Sequence, residues 1–110
     1  MVRHLVSSLA NDSRGFRRAV VEPEYKTLGL FLETGLGNPS DDAFTGVRAA
    51  AVVADATGAE SDYTSDAFFV EILGRETRIR GLYNDDLDLV IPTEDFIAAL
   101  DVYADYWAAT

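Results

Sequence analysis

Hydrophobic patterning is clearest in the second half of the chain. Phe68-Phe69-Val70-Glu71-Ile72-Leu73 is a β-prone run closed by Gly74-Arg75-Glu76, and Thr77-Arg78-Ile79-Arg80-Gly81-Leu82-Tyr83 then alternates roughly between polar and apolar positions. Two such runs split by a glycine turn predict a hairpin. Asn84-Asp85-Asp86 supplies a second turn, because Asn and Asp tolerate left-handed backbone and hydrogen-bond their own main chain. Leu87-Asp88-Leu89-Val90-Ile91 gives a third strand, which Pro92 ends because it has no N–H to offer a ladder. Arg78 and Arg80 share one face of the middle strand, where Glu71 and Asp88 are placed to form cross-strand ion pairs; an anion site is the sharper alternative.

After Pro92 the apolar period lengthens. Thr93 reads as a helix N-cap, and Glu94 and Asp95 stand where the helix dipole favours acids. Phe96, Leu100, Tyr103 and Trp107 then recur at helical spacing with Ile97 and Ala104 beside them, predicting a helix from 94 to about 108 whose apolar stripe packs on the sheet. Burying those four large side chains contributes roughly 1.5–3 kcal/mol each.

The first half is less regular. Val2, Leu5, Val6 and Leu9 have helical spacing, Asn11 to Gly15 reads as a break, and Phe16 to Val21 is compatible with a strand ending near Pro23. Residues 25 to 36 mix β-prone and helical features. Ser40 before Asp41 and Asp42 is an N-cap signature that opens an alanine-rich helix over 43 to 56, although Val52-Val53 keeps a strand open there. The polar stretch Gly58 to Ser65 reads as a linker. The pattern as a whole predicts one α+β domain over residues 1–110: a three-stranded or larger antiparallel sheet packed against a C-terminal amphipathic helix and one or two N-terminal helices.

At 110 residues, with 48% hydrophobic and 25% charged side chains, the chain is sized for a single core. The absence of cysteine removes disulfides, thiolate metal sites and thiol nucleophiles. The N-terminal residues are too short and interrupted for a signal h-region and no segment reaches spanning length, so a cytoplasmic protein with no membrane contact is expected. Net charge changes the picture most. Residues 1 to 54 hold six acids and six bases, whereas residues 55 to 110 hold thirteen acids against Arg75, Arg78 and Arg80 and so carry the full −10. A field of that sign repels nucleic acid and anionic lipid and steers cationic proteins inward. Salt adaptation explains the same charge without a partner.

Chemistry-bearing motifs are few. His4 is the lone histidine, and Gly35-Leu36-Gly37-Asn38-Pro39 reads as a turn rather than a phosphate loop. Glu24-Tyr25-Lys26 with Asp12 upstream matches an E-x-K nuclease fragment, but surface turns contain the same residues and a negative chain grips DNA poorly. Asn84 to Asp88 clusters oxygen ligands yet lacks the glycine and distal glutamate of a calcium loop. No metal, cofactor or catalytic residue is assigned.

The surface is more informative. Glu94, Asp101 and Asp105 form one stripe of the C-terminal helix, Asp95, Ala99, Val102 and Tyr106 form the next, and Asp85, Asp86 and Asp88 lie just upstream in sequence. Acids around an aromatic anchor make a docking face for a basic protein. Residues 66 to 108, an acidic meander followed by a helix with Phe96, Leu100, Tyr103 and Trp107 inward and acids outward, resemble the small acidic immunity proteins that neutralise bacterial nuclease toxins. The resemblance implies stoichiometric, non-catalytic inhibition, with Asp85, Asp86, Asp88, Glu94, Asp95, Asp101 and Asp105 entering a basic cleft and Tyr106 as anchor. The rivals are a small-ligand or regulatory module with a pocket between helix and sheet, an enzyme built on carboxylates with Tyr or Arg, and a salt-adapted domain. Homodimerisation through the sheet's exposed face or edge is also open.

Overall fold

A computed structural model describes residues 2–109; Met1 and Thr110, the ends of the span read as one domain, lie outside the described residues. The chain runs β1 (Val6–Asn11), β2 (Arg17–Val21), a 3-10 turn (Pro23–Tyr25), α1 (Lys26–Thr34), α2 (Asp42–Thr57), β3 (Glu60–Thr64), β4 (Phe68–Leu73), β5 (Glu76–Gly81), β6 (Asp88–Pro92) and α3 (Thr93–Ala108). The fold is α+β. β3 to β6 form an antiparallel meander in sequence order, and β1 and β2 form a separate hairpin.

Alternation along β4 and β5 sorts the sheet into two faces. Phe68, Val70, Ile72, Thr77 and Ile79 are buried on the inner side, while the neighbours between them are only partly covered or exposed. α1 lies between this inner face and the hairpin. The Phe31 ring meets Phe68 edge-on at 5.7 Å and packs against Phe96 at 6.2 Å. On the other side of α1, a methyl at Gly29 would stand 3.1 Å from the Val21 side chain, so the glycine allows the helix to approach β2 closely. α3 brings Phe96, Leu100 and Tyr103 fully into the core, as its apolar stripe predicts, and leaves Trp107 half-buried.

The N-terminal segment is a strand rather than the helix its spacing predicts. β1 pairs with β2 through a register shift between Val6 and Ser8, so two residues of β1 oppose one of β2. That bulge puts Val6 and Leu9 toward the core although they are three apart, which imitates a helical repeat in the sequence. Gly58 to Ser65 is likewise no linker. Most of it is β3, an edge strand that contributes only Tyr63 to the interior and is polar elsewhere, and it pairs with β4 along its length. The ambiguous stretches resolve as helices: 25–36 holds α1, and Val52-Val53 sits on the exposed side of α2. Gly58 ends α2 in the left-handed conformation, its N–H donating to the Ala54 carbonyl.

Two expected caps are used otherwise. α2 begins after Asp41, and Ser40 instead hydrogen-bonds through its main-chain N–H and hydroxyl to Asn38 Oδ1. Pro92 occupies the cap position of α3. Thr93 is buried, its hydroxyl donating to the Gly74 carbonyl at 2.8 Å and meeting the Thr77 hydroxyl at 2.9 Å, so it ties the helix start to the β4–β5 turn.

Candidate functional site

The seven acids and one tyrosine expected to form one docking face divide into three groups. Asp95 and Tyr106 belong to an internal contact. Asp95 is fully buried, with its Oδ1 accepting the Arg3 main-chain N–H at 2.7 Å, and Tyr106 donates its hydroxyl to the Asn11 side-chain oxygen. The stripe Asp95, Ala99, Val102 and Tyr106 therefore faces the N-terminal segment and β1, not solvent. The helical spacing of Val2, Leu5, Val6 and Leu9 gives no sign of the strand that covers this side of α3.

Glu94, Asp101 and Asp105 form the second group. They line a groove of about 370 Å³ along α3 together with Ile97, Ala98, Val102, Val2 and His4. Asp101 also pairs with Arg48 of α2 at 2.9 Å, while both side chains stay substantially exposed.

Asp85, Asp86 and Asp88 form the third group, at the outer face of the sheet. The β5–β6 turn is held by its own main chain: Asn84 Oδ1 accepts the Asp86 N–H, the Asn84 carbonyl accepts the Leu87 N–H, and Gly81 N–H donates to the Leu87 carbonyl. This geometry leaves Asp85 and Asp86 exposed. Asp88 takes a bidentate pair from Arg78, at 2.9 and 2.6 Å, and Arg80 reaches Glu71 at 3.0 Å while its guanidinium stacks 5.3 Å from the Phe69 ring centre. Both arginines are thus engaged by carboxylates across strands, as their alternation predicts. The Arg78 hydrogen bond is the main cause that holds the Asp88 carboxyl below its usual range.

The outer face also shows what the sequence reading missed. Tyr83, which reads as the last residue of a strand, lies in the turn and is 86% exposed; Leu82 at 43%, Val90 at 54% and Leu73 at 43% add apolar surface on the same side of the molecule as the half-buried Phe69. The cross-strand register sets Phe69, Arg80 and Asp88 in one row and Glu71, Arg78 and Val90 in the next. A groove of about 420 Å³ runs between Phe69, Arg78, Arg80, Leu82, Leu87 and the acids Asp85 and Asp88. Odd-numbered apolar residues in β4 signal this face, because Phe69 and Leu73 alternate out of phase with the core set.

The remaining motifs have structural places. Asp12 closes the β1–β2 turn by accepting the Arg14 and Phe16 N–H groups and pairing with Arg18. Glu24-Tyr25-Lys26 spans the end of the 3-10 turn and the start of α1. Leu36 and Gly37, in the glycine turn, accept the Tyr103 hydroxyl. Among the described residues no three His, Asp or Glu side chains gather as a metal site, and no helix is long and apolar enough to cross a membrane. Compared with protein-family models, curated proteins and solved structures, the chain matches none.

Proposed function

We propose that this is a non-catalytic binding protein that takes a basic partner protein on the outer face of its four-stranded sheet. The observation that carries the reading is Tyr83, an aromatic 86% exposed beside Asp85 and Asp86 at the rim of an uncovered, partly apolar sheet face. An exposed aromatic is an affinity anchor in waiting, and acids around it raise association rates with cations. The two arginines of the face do not oppose this, since Asp88 and Glu71 already neutralise them. In its finer form the reading is stoichiometric inhibition of the immunity type, with the acidic turn entering the basic cleft of a nuclease toxin.

Two of the rival readings, a ligand pocket and an enzyme, draw less support. The space in which a ligand pocket would lie between helices and sheet is filled by Phe31, Phe68 and Phe96. Asp12 and Asp88 have carboxyls shifted downward, chiefly by hydrogen bonds from the Phe16 N–H and from Arg78, which is opposite to the raised value that would make either a general acid.

Affinity capture at low salt from cells that make the protein tests the reading, with wild type compared against a Tyr83→Ala, Asp85→Lys, Asp86→Lys variant. A basic protein retained by wild type, released by salt and lost by the variant is expected. Equal retention by both overturns the reading.

A further inference from the structure

The groove along α3 is built differently from the sheet face. Glu94, Ala98, Asp101 and Asp105 follow one another at intervals of four, three and four along a single stripe, with Ile97 and Val102 beside it, so an apolar floor is flanked on one side by acids, of which Asp101 also pairs with Arg48. The opposite wall is the N-terminal segment, through Val2 and His4. That wall is held in place. Leu5 and Val6 are buried beyond it, and within it the Arg3 main-chain N–H and Nε both approach the Asp95 carboxylate, whose side chain is only 1% exposed. A carboxylate withdrawn from water in this way holds the segment against the helix, because releasing it would leave a buried charge without its donors.

From Glu94 to Asp105 the stripe covers three helical turns, roughly 16 Å. An occupant of such a trough must be apolar along one side and cationic along the flank that meets the acidic stripe over that length. An amphipathic helix with Lys or Arg beside its apolar stripe meets both conditions. Phosphate backbones and anionic bilayers are repelled by the same acids, and a second copy docking α3 against α3 would set the acidic stripes against each other.

We propose that the α3 groove is a docking site for a cationic amphipathic helix of a partner protein, with Asp95 as the residue that positions its N-terminal wall. The inference stands on this groove alone and is independent of the sheet-face reading, so one molecule would carry two separate surfaces for cationic ligands.

The test is an amide-shift titration of the full chain, isotope-labelled, with two synthetic Lys/Leu peptides of identical composition, one amphipathic as a helix and one scrambled. The amphipathic peptide is expected to shift His4, Ile97, Ala98 and Val102 to saturation and to bind about tenfold more tightly than the scrambled one. Ala98→Lys and Asp105→Lys, both surface changes, should each weaken it about tenfold. Asp95→Asn should remove the preference between the two peptides, and Val53→Ala, on the exposed side of α2, should leave it intact. Equal binding of both peptides, shifts confined to β4–β6, or concentration-dependent shifts at the same residues without peptide, the sign of a second copy in the groove, would each overturn the proposal.

Discussion

The Arg17 guanidinium lies 5.1 Å from the centre of the Tyr103 ring and 5.6 Å from that of Trp107, while its Nε and Nη2 donate to the Glu33 carbonyl at 3.3 and 2.8 Å. One half-buried side chain of β2 therefore satisfies the C-terminal end of α1 and covers two aromatics of α3. A cation there complements the helix dipole and the ring faces together. Arg17→Ala is expected to cost about 1–3 kcal/mol of folding stability, measured by chemical denaturation. Arg17→Lys should recover only part of it, because an ammonium cannot fork to the carbonyl while lying over the rings. Full recovery by lysine would show that charge alone matters.

Tyr103 makes the complementary contact to the same region. Its hydroxyl donates to the Leu36 carbonyl at 2.9 Å and meets the Gly37 carbonyl, which fastens the α1–α2 connection to α3. Tyr103→Phe keeps the ring and its stacking on Phe44 but removes this donor from both carbonyls, leaving Leu36 only the longer bond from Arg17 at 3.4 Å. A loss of about 1–3 kcal/mol is expected, and an unchanged denaturation midpoint would count against the contact.

Stability should depend on pH at both extremes. The Asp12 carboxyl is held below 3.8, first by the Phe16 N–H and further by Arg18 and Arg14, and the Asp88 carboxyl is held below 3.8, first by its hydrogen bond from Arg78. Groups depressed in the folded state stabilise it above their unfolded value, and this is lost as pH falls through the folded one. Burial raises the Tyr63 and Tyr103 hydroxyls above 10.0, so the unfolded chain ionises first and stability falls from that pH upward. Thermal unfolding is expected to show a plateau between roughly pH 5 and pH 9 with losses on either side. Tyr103→Phe should shrink the alkaline loss; an identical alkaline limb in that variant would contradict the assignment.

How much of this was legible follows from which forces act locally. β4 can be read from its β-prone run, and β5, the β6 strand and α3 from turns and period, since Thr77 and Ile79 alternate with exposed or partly exposed positions while Phe96, Leu100 and Tyr103 recur at helical spacing. β1 could not be read, since its bulge breaks the alternation that identifies strands. β3 could not either, because an exposed edge strand needs no apolar run. The candidate surface fails to be legible for the same reason at one remove. Whether Asp95 is outside or inside depends on the placement of β1, and Tyr83 stands out only once Asn84 to Leu87 is seen to turn the chain away from the sheet.

Trp107 tests how far the apolar stripe of α3 extends. Its ring meets Tyr103 and Tyr106 edge-on and lies under Arg17, yet it remains half-buried at the end of the helix. Trp107→Ala is expected to lower stability by about 2–3 kcal/mol, below the range for a fully enclosed aromatic, because solvent replaces part of the lost contact. Unchanged thermal stability would show that the stripe ends at Tyr103.

Binding of a cationic protein through the acidic turn and open sheet face, the proposed function, should depend on Tyr83, Asp85 and Asp86 and on salt. The most direct measurement is the dissociation constant for the captured basic partner, for wild type and the Tyr83→Ala, Asp85→Lys, Asp86→Lys variant, at about 0.05 M and about 0.5 M salt. Binding is expected to be at least about thirtyfold weaker for the variant at low salt, with a steep loss for wild type at high salt. Equal constants for the two proteins, with no dependence on salt, would contradict it.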